Sequence, residues 1–240
     1  MRILKDIYLA GGGAYGYSHG NDCNVYLIDG GSELALIDAG GGGGVQRIIE
    51  NVKSFSLNPA KIKFLIITHC HYDHIGGNKG IKELTGCKIA AHETEVKSIE
   101  TLDVLTLAER AKQRGLYVEA SKVDVQLKDE DVLNVGKHKL KIIHTPGHTP
   151  GSICIFLEEW GKRILFSGDI VSAQGRLGFI NGPGFNLDDW KKTLKHLVDL
   201  RIDAMFPGHG TFVLSDACDH IKLYSDKMNA PWINIVTELG

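Results

Sequence analysis

At 240 residues, with 43% hydrophobic and 23% charged side chains, the chain can bury a substantial core and has the composition of a soluble globular protein. A formal net charge of −2 supplies no broad basic field, which argues against nucleic acid or an anionic membrane as a partner. No apolar run approaches the ~18 residues of a membrane span, and the apolar run in the first residues, MRILKDIYLAGGG, is too short to be expected as a secretory signal.

Taken in chain order, the apolar runs NVYLI (24–28) and ELALI (33–37) predict strands. The glycine run Gly40–Gly44 that follows is read as a turn into the helical pattern VQRIIENVKSF, because no lysine with Ser or Thr comes next as a phosphate loop requires. KFLII (63–67) predicts a strand, NKGIKELTG a helix and KIAA (88–91) a further strand. ETEVKSIETLDVLTLAERAKQRG then predicts a charged helical insertion near 93–117, whose ordinary reading is a solvated surface helix. The second half repeats the theme with KLKII (139–143), SICIF (152–156), RILF (163–166) and AMF (204–206). Within LDDWKKTLKHLVDL, Trp190, Leu194, Leu197 and Val198 fall on one helical face. A short tail, 216–240, carries Trp232, Ile233, Ile235 and Val236, expected to pack on the fold or on a partner. The pattern predicts an α/β layered protein, a single domain over 1–240 with two similar halves.

Cys23, Cys70, Cys87, Cys154 and Cys218 are scattered, odd in number and show no CxxC spacing, so a reducing cytoplasm is the expected location. Cys70 is expected to point away from the histidines on either side of it.

The chemistry gathers at the strand ends. FLIIT runs into THCHYDHIGG with His69, His71, Asp73 and His74; KLKII runs into HTPGHTPGS with His144 and His148. RILF leads to SGD and Asp169, and AMF leads to PGHG and His209. Four strands thus each deliver a histidine or aspartate beside glycine, at the end where α/β proteins collect their ligands. Imidazole and carboxylate are the usual nitrogen and oxygen ligands of zinc. In an extended segment His69 and His71 project to one side and can share a metal, while Asp73 and His74 turn toward a second position. Two metals ~3.5–4 Å apart need a bridging carboxylate, for which Asp169 is the natural candidate.

THCHYDHIGG resembles the HxHxDH signature of the metallo-β-lactamase superfamily, and HTPGHTPGS, FSGD and PGHG resemble its later motifs in the family's order. The resemblance covers roughly 22–215. It implies an αββα four-layer sandwich, two mixed β-sheets flanked by helices, with the metal site at one edge. It further implies His69, His71 and His148 on one metal, Asp73, His74 and His209 on the second, and Asp169 bridging both. Asp38, in LALIDAG, matches an early aspartate that supports the ligands without binding metal. The implied cofactor is two divalent ions, zinc first, with iron or manganese as alternatives. Zinc lowers the pKa of bound water to about 7, so the implied reaction is hydroxide attack, with Asp73 orienting the nucleophile or relaying its proton. Arg176, shortly after Asp169, is a weak substrate-contact candidate.

Within the family, the ligand set is shared with glyoxalase II, a thioester hydrolase, but only 31 residues follow His209, where that enzyme usually carries a helical domain. The leading expectation is a hydrolase of small esters, thioesters or lactones, glyoxalase II-like thioester hydrolysis first. Alternatives are a lactonase or phosphodiesterase of the superfamily, or a persulfide dioxygenase holding one iron through His69, His148 and Asp169. The expected partner is a small-molecule substrate, without nucleic acid or membrane; a homodimer stays open. Among the other histidines, His144 is read as structural, His138, His196 and His220 as surface residues, and His19 and His92 as outside the site.

Overall fold

The structure is a computed structural model describing residues 1–178 and 182–230. Side chains alternate across a strand, so runs such as LALI and ICIF, apolar at every position, require cover on both faces. That cover is what the chain builds. One sheet has seven strands in sequential order: β1 (Arg2–Leu4), β2 (Ile7–Gly11), β3 (Val25–Asp29), β4 (Leu34–Ile37), β5 (Ile62–Ile66), β6 (Lys88–His92) and β7 (Val125–Leu127). β1 to β4 pair antiparallel and β4 to β7 parallel. The other sheet holds β8 (Val132–Val135), β9 (His138–His144), β10 (Ile153–Glu159), β11 (Lys162–Gly168) and β12 (Ala204–Pro207). Its pairs are antiparallel except β11 with β12.

Alternate residues then sort into three cores. Ala35, Ile37, Ile155, Phe166 and Phe206 lie between the sheets. Leu34, Leu36, Ile89 and Cys70 face outward under α1 (Val45–Ser54), α3 (Asn78–Thr85) and α4 (Val96–Thr101), joined by Ile48, Ile81 and Ile99. On the opposite outer face Cys154, Leu165 and Met205 meet Trp190, Leu194 and Leu197 of α6 (Leu187–Asp199) and Ile221 and Tyr224 of α7 (Ala217–Met228). The result is the four-layer αββα sandwich with two mixed sheets. A short α2 (Tyr72–Ile75) and α5 (Ala108–Gln113) complete the named helices.

Two expectations need correction. The segment 93–117 is not one solvated helix: Leu102 and Leu107 take left-handed conformations (φ 52° and 55°), breaking it into α4, α5 and single 3₁₀ turns at Glu93–Glu95 and Val104–Thr106. Glu95, Ser98, Ile99 and Ala111 within it are buried. His138, expected at the surface, is 1% exposed and sits between Asp6 and Glu159, 3.3 and 3.0 Å from its two ring nitrogens. Carboxylates distant in sequence meet this ring in space. The tail residues Trp232, Ile233, Ile235 and Val236 lie outside the described residues. No described helix is long and apolar enough to cross a membrane.

Candidate metal centre

After β5 the chain runs through a bend at Thr68 to His71, the residue before α2, whose backbone is extended (φ −63°, ψ 146°). His69 and His71 therefore project together, with Nε2 of the first 3.1 Å from Nδ1 of the second. The loop after β9 brings His148 Nε2 to 3.0 Å from the same Nδ1. Cys70, between the two histidines, turns into the outer core as its register requires. Asp73 and His74 occupy the turn of α2, where His209, just past β12, meets them: its Nε2 is 3.2 Å from His74 Nε2 and 3.1 Å from Asp73 Oδ2. Asp169, just past β11, stands between the groups. Its Oδ1 is 3.4 Å from His74 Nε2, and its Oδ2 is 3.4 Å from His209, 3.7 Å from His148 and 4.0 Å from His69. The close approach depends on Gly208, where a Cβ would stand 2.4 Å from Asp169 Oδ1.

Asp38 fixes which lone pairs face inward. Its carboxylate accepts from the Thr68 amide (2.8 Å), the Thr68 hydroxyl (2.8 Å) and His74 Nδ1 (2.9 Å). A Thr68 hydroxyl that donates to Asp38 accepts from His69 Nδ1, 3.2 Å away. Both rings thus donate from Nδ1 and turn Nε2 toward the other site residues, the orientation that outer carboxylates impose on metal-binding imidazoles.

The electrostatics follow. Burial, reinforced by neighbouring imidazoles, holds His69 well below the usual imidazole range; burial pushes His71 down to about 3 and lowers His148. Burial pushes the Asp169 carboxyl up, but His209 and His74 outweigh it and hold it well below the usual carboxylate range. Asp73 is likewise lowered by His74 and His209 against its burial. Three imidazole nitrogens, His69 Nε2, His71 Nδ1 and His148 Nε2, therefore converge on one spot, and two carboxylates stand alongside. Asp169 Oδ1 accepts no hydrogen bond, a costly state for a buried oxygen. Such a donor set fits divalent cations, in the groupings His69–His71–His148, Asp73–His74–His209 and His69–His74–Asp169.

The site opens into a cleft of about 520 Å³ lined by Asp73, His148, Asp169, Arg176, His209 and Thr211, which puts Arg176 on the wall. The remaining histidines stay out of the donor groups. His92 and His144 stack on each other at 4.0 Å. The ring of His144 donates to Pro150 O (2.9 Å). His220 Nδ1 accepts from the Gln174 amide (2.8 Å), and His196 is exposed on α6. Asn24 was missed by sequence reading. Its side chain donates to Pro207 O and Gly210 O (3.0 Å each) and its amide to Gly208 O (2.7 Å), shaping the turn that presents His209. The only signal was one polar residue heading the apolar run NVYLI.

A family model described as the metallo-beta-lactamase superfamily matches residues 20–209. The chain is 30% identical over 219 residues to the acyl-coenzyme A thioesterase MBLAC2 of Bos taurus, covering 80% of this chain and 75% of that one. It is 30% identical over 217 residues, 88% of this chain and 96% of the other, to a probable metallo-hydrolase of Methanocaldococcus jannaschii. Among solved structures, the subclass B3 metallo-beta-lactamase BJP-1 of Bradyrhizobium japonicum superposes with a TM-score of 0.77 at 22% identity, covering 99% of this chain and 93% of that one; this likeness is one of fold.

Proposed function

The chain belongs to the metallo-β-lactamase superfamily, a family of divalent-metal proteins, and on that premise we propose that it is a dinuclear metal-dependent hydrolase of small thioesters. The observation that carries the thioester reading is the likeness to acyl-coenzyme A thioesterases, joined to a donor set in which each residue offers one nitrogen or carboxylate oxygen to the site. His69, His71 and His148 would hold one ion, Asp73, His74 and His209 the other, and Asp169 both, with zinc as the metal. Bound there, the ions supply a nucleophilic water at neutral pH and stabilise the oxyanion that develops at the carbonyl.

The chain's own groups do the rest. Asp73, at the floor of the cleft, orients the attacking water, accepts its proton and returns it to the departing thiolate. Asp38 and Thr68 keep His74 and His69 turned with Nε2 toward the site. Arg176 offers a cation on the wall for an anionic part of the substrate. Thiol release should be followed with S-acyl glutathione and acyl-coenzyme A substrates, with oxygen esters and lactones for comparison. Fastest turnover on a thioester, abolished by chelator and restored by zinc, is expected; preference for a lactone or ester contradicts the thioester assignment.

A further inference from the structure

The insertion expected to be solvated carries a buried carboxylate that the reaction above does not use. Glu95 lies in the 3₁₀ turn that follows β6 and is 1% exposed. Its Oε1 accepts from the Thr149 hydroxyl and from the Gly151 amide (3.0 Å), both in the loop that presents His148. Cys70, the residue between His69 and His71, lies beside the same side chain. Oε2 has no hydrogen-bond partner. Gly151 is matched to it, since a Cβ there would stand 2.5 Å from Glu95 Cγ.

A buried carboxylate with an unpaired oxygen is destabilising by itself. A solvated helix turn has no need of one. What this one does is join the two loops whose histidines converge on a single point, His148 Nε2 lying 3.0 Å from His71 Nδ1. We propose that Glu95 is a positioning residue for the three-histidine metal position, clamping the His148 loop against the His69–His71 segment. The proposal rests on the metal assignment above. It makes the first turn of the insertion part of the metal centre's frame, and it makes the effect selective. The position formed by Asp73, His74 and His209 is framed by Asp38 and Asn24 and does not depend on Glu95.

The test uses the full-length, zinc-loaded protein and a chromophoric chelator, with cobalt-substituted protein read by visible absorption and His71→Ala as reference. Glu95→Ala should fold and bind one of its two metals about 10–100-fold more weakly, with a cobalt spectrum shifted toward that of His71→Ala. Glu95→Gln, which keeps an oxygen for Thr149 and Gly151, should recover most of the affinity. If Glu95→Ala does not fold, Thr149→Val removes the donor at the far end and must show the same selective loss. A folded Glu95→Ala or Thr149→Val that keeps both metals at wild-type affinity, or loses both equally, overturns the positioning role while His71→Ala still sheds one. Full metal content in His71→Ala overturns the metal assignment and the proposal with it.

Discussion

Asp38 shows how one side chain can set a site that it does not enter. It is 1% exposed, takes a left-handed backbone (φ 62°) that aspartate tolerates better than most residues, and collects donors from Thr68 and His74. Removing it leaves the His74 and Thr68 donors buried and unpaired. Asp38→Ala is expected to weaken metal binding about 10–100-fold, by chelator competition, and to destabilise the fold by about 3 kcal/mol, by urea denaturation. Asp38→Asn, which suits the same backbone and can still accept from Thr68, should lose less of both. At this scale the candidate ligands that the fold gathers were legible: histidine and aspartate beside glycine at four strand ends is a pattern that packing alone does not produce. Glu95 was not, because a glutamate in a charged segment looks solvated until the fold places Thr149 and Gly151 against it. His138 was misjudged for the same reason.

At the scale of elements, the eight strands read from apolar runs are all present, because each is buried on at least one face and most on both. β1, β7 and β8 escaped since they are short edge strands of three or four residues with weak apolar signal, and the inner strand β2 escaped because its short apolar run IYLA leads straight into Gly11–Gly13. α7 shows a buried stripe of Ala217, Ile221, Tyr224 and Met228 that charged residues interrupt. The ends of β6 and β9 meet in the stacked pair His92–His144, beneath the His148 loop. Burial, then His144, pushes His92 down to about 4, while Glu93, Asp129 and Asp131 pull the other way. The unfolded chain, with an ordinary imidazole, takes up that proton first as pH falls. The pair's contribution is therefore intact above about pH 6.5 and lost progressively toward pH 4. Urea midpoints at pH 7 and pH 5 should show the wild type losing about 1 kcal/mol more than His92→Gln, after allowance for solvent screening; equal losses would exclude the stack as the cause.

At the scale of the molecule, the two sheets pack face to face and are tied to each other beside the site. Ile153 at the start of β10 donates to Thr68 O beyond β5 (2.8 Å), and Asn24 before β3 donates to Gly208 O beyond β12 (2.7 Å). Each half of the chain supplies ligand candidates, His69, His71, Asp73 and His74 from the first and His148, Asp169 and His209 from the second, so neither half holds the centre alone. Under the function proposed above these seven residues hold two hydrolytic metal ions, and elemental analysis of the protein purified without added metal is the direct measurement. Close to two zinc per chain, falling to one or fewer in Asp169→Ala, is the predicted result. A single iron per chain, accompanied by oxygen consumption on a persulfide, or full metal content in Asp169→Ala, would contradict it.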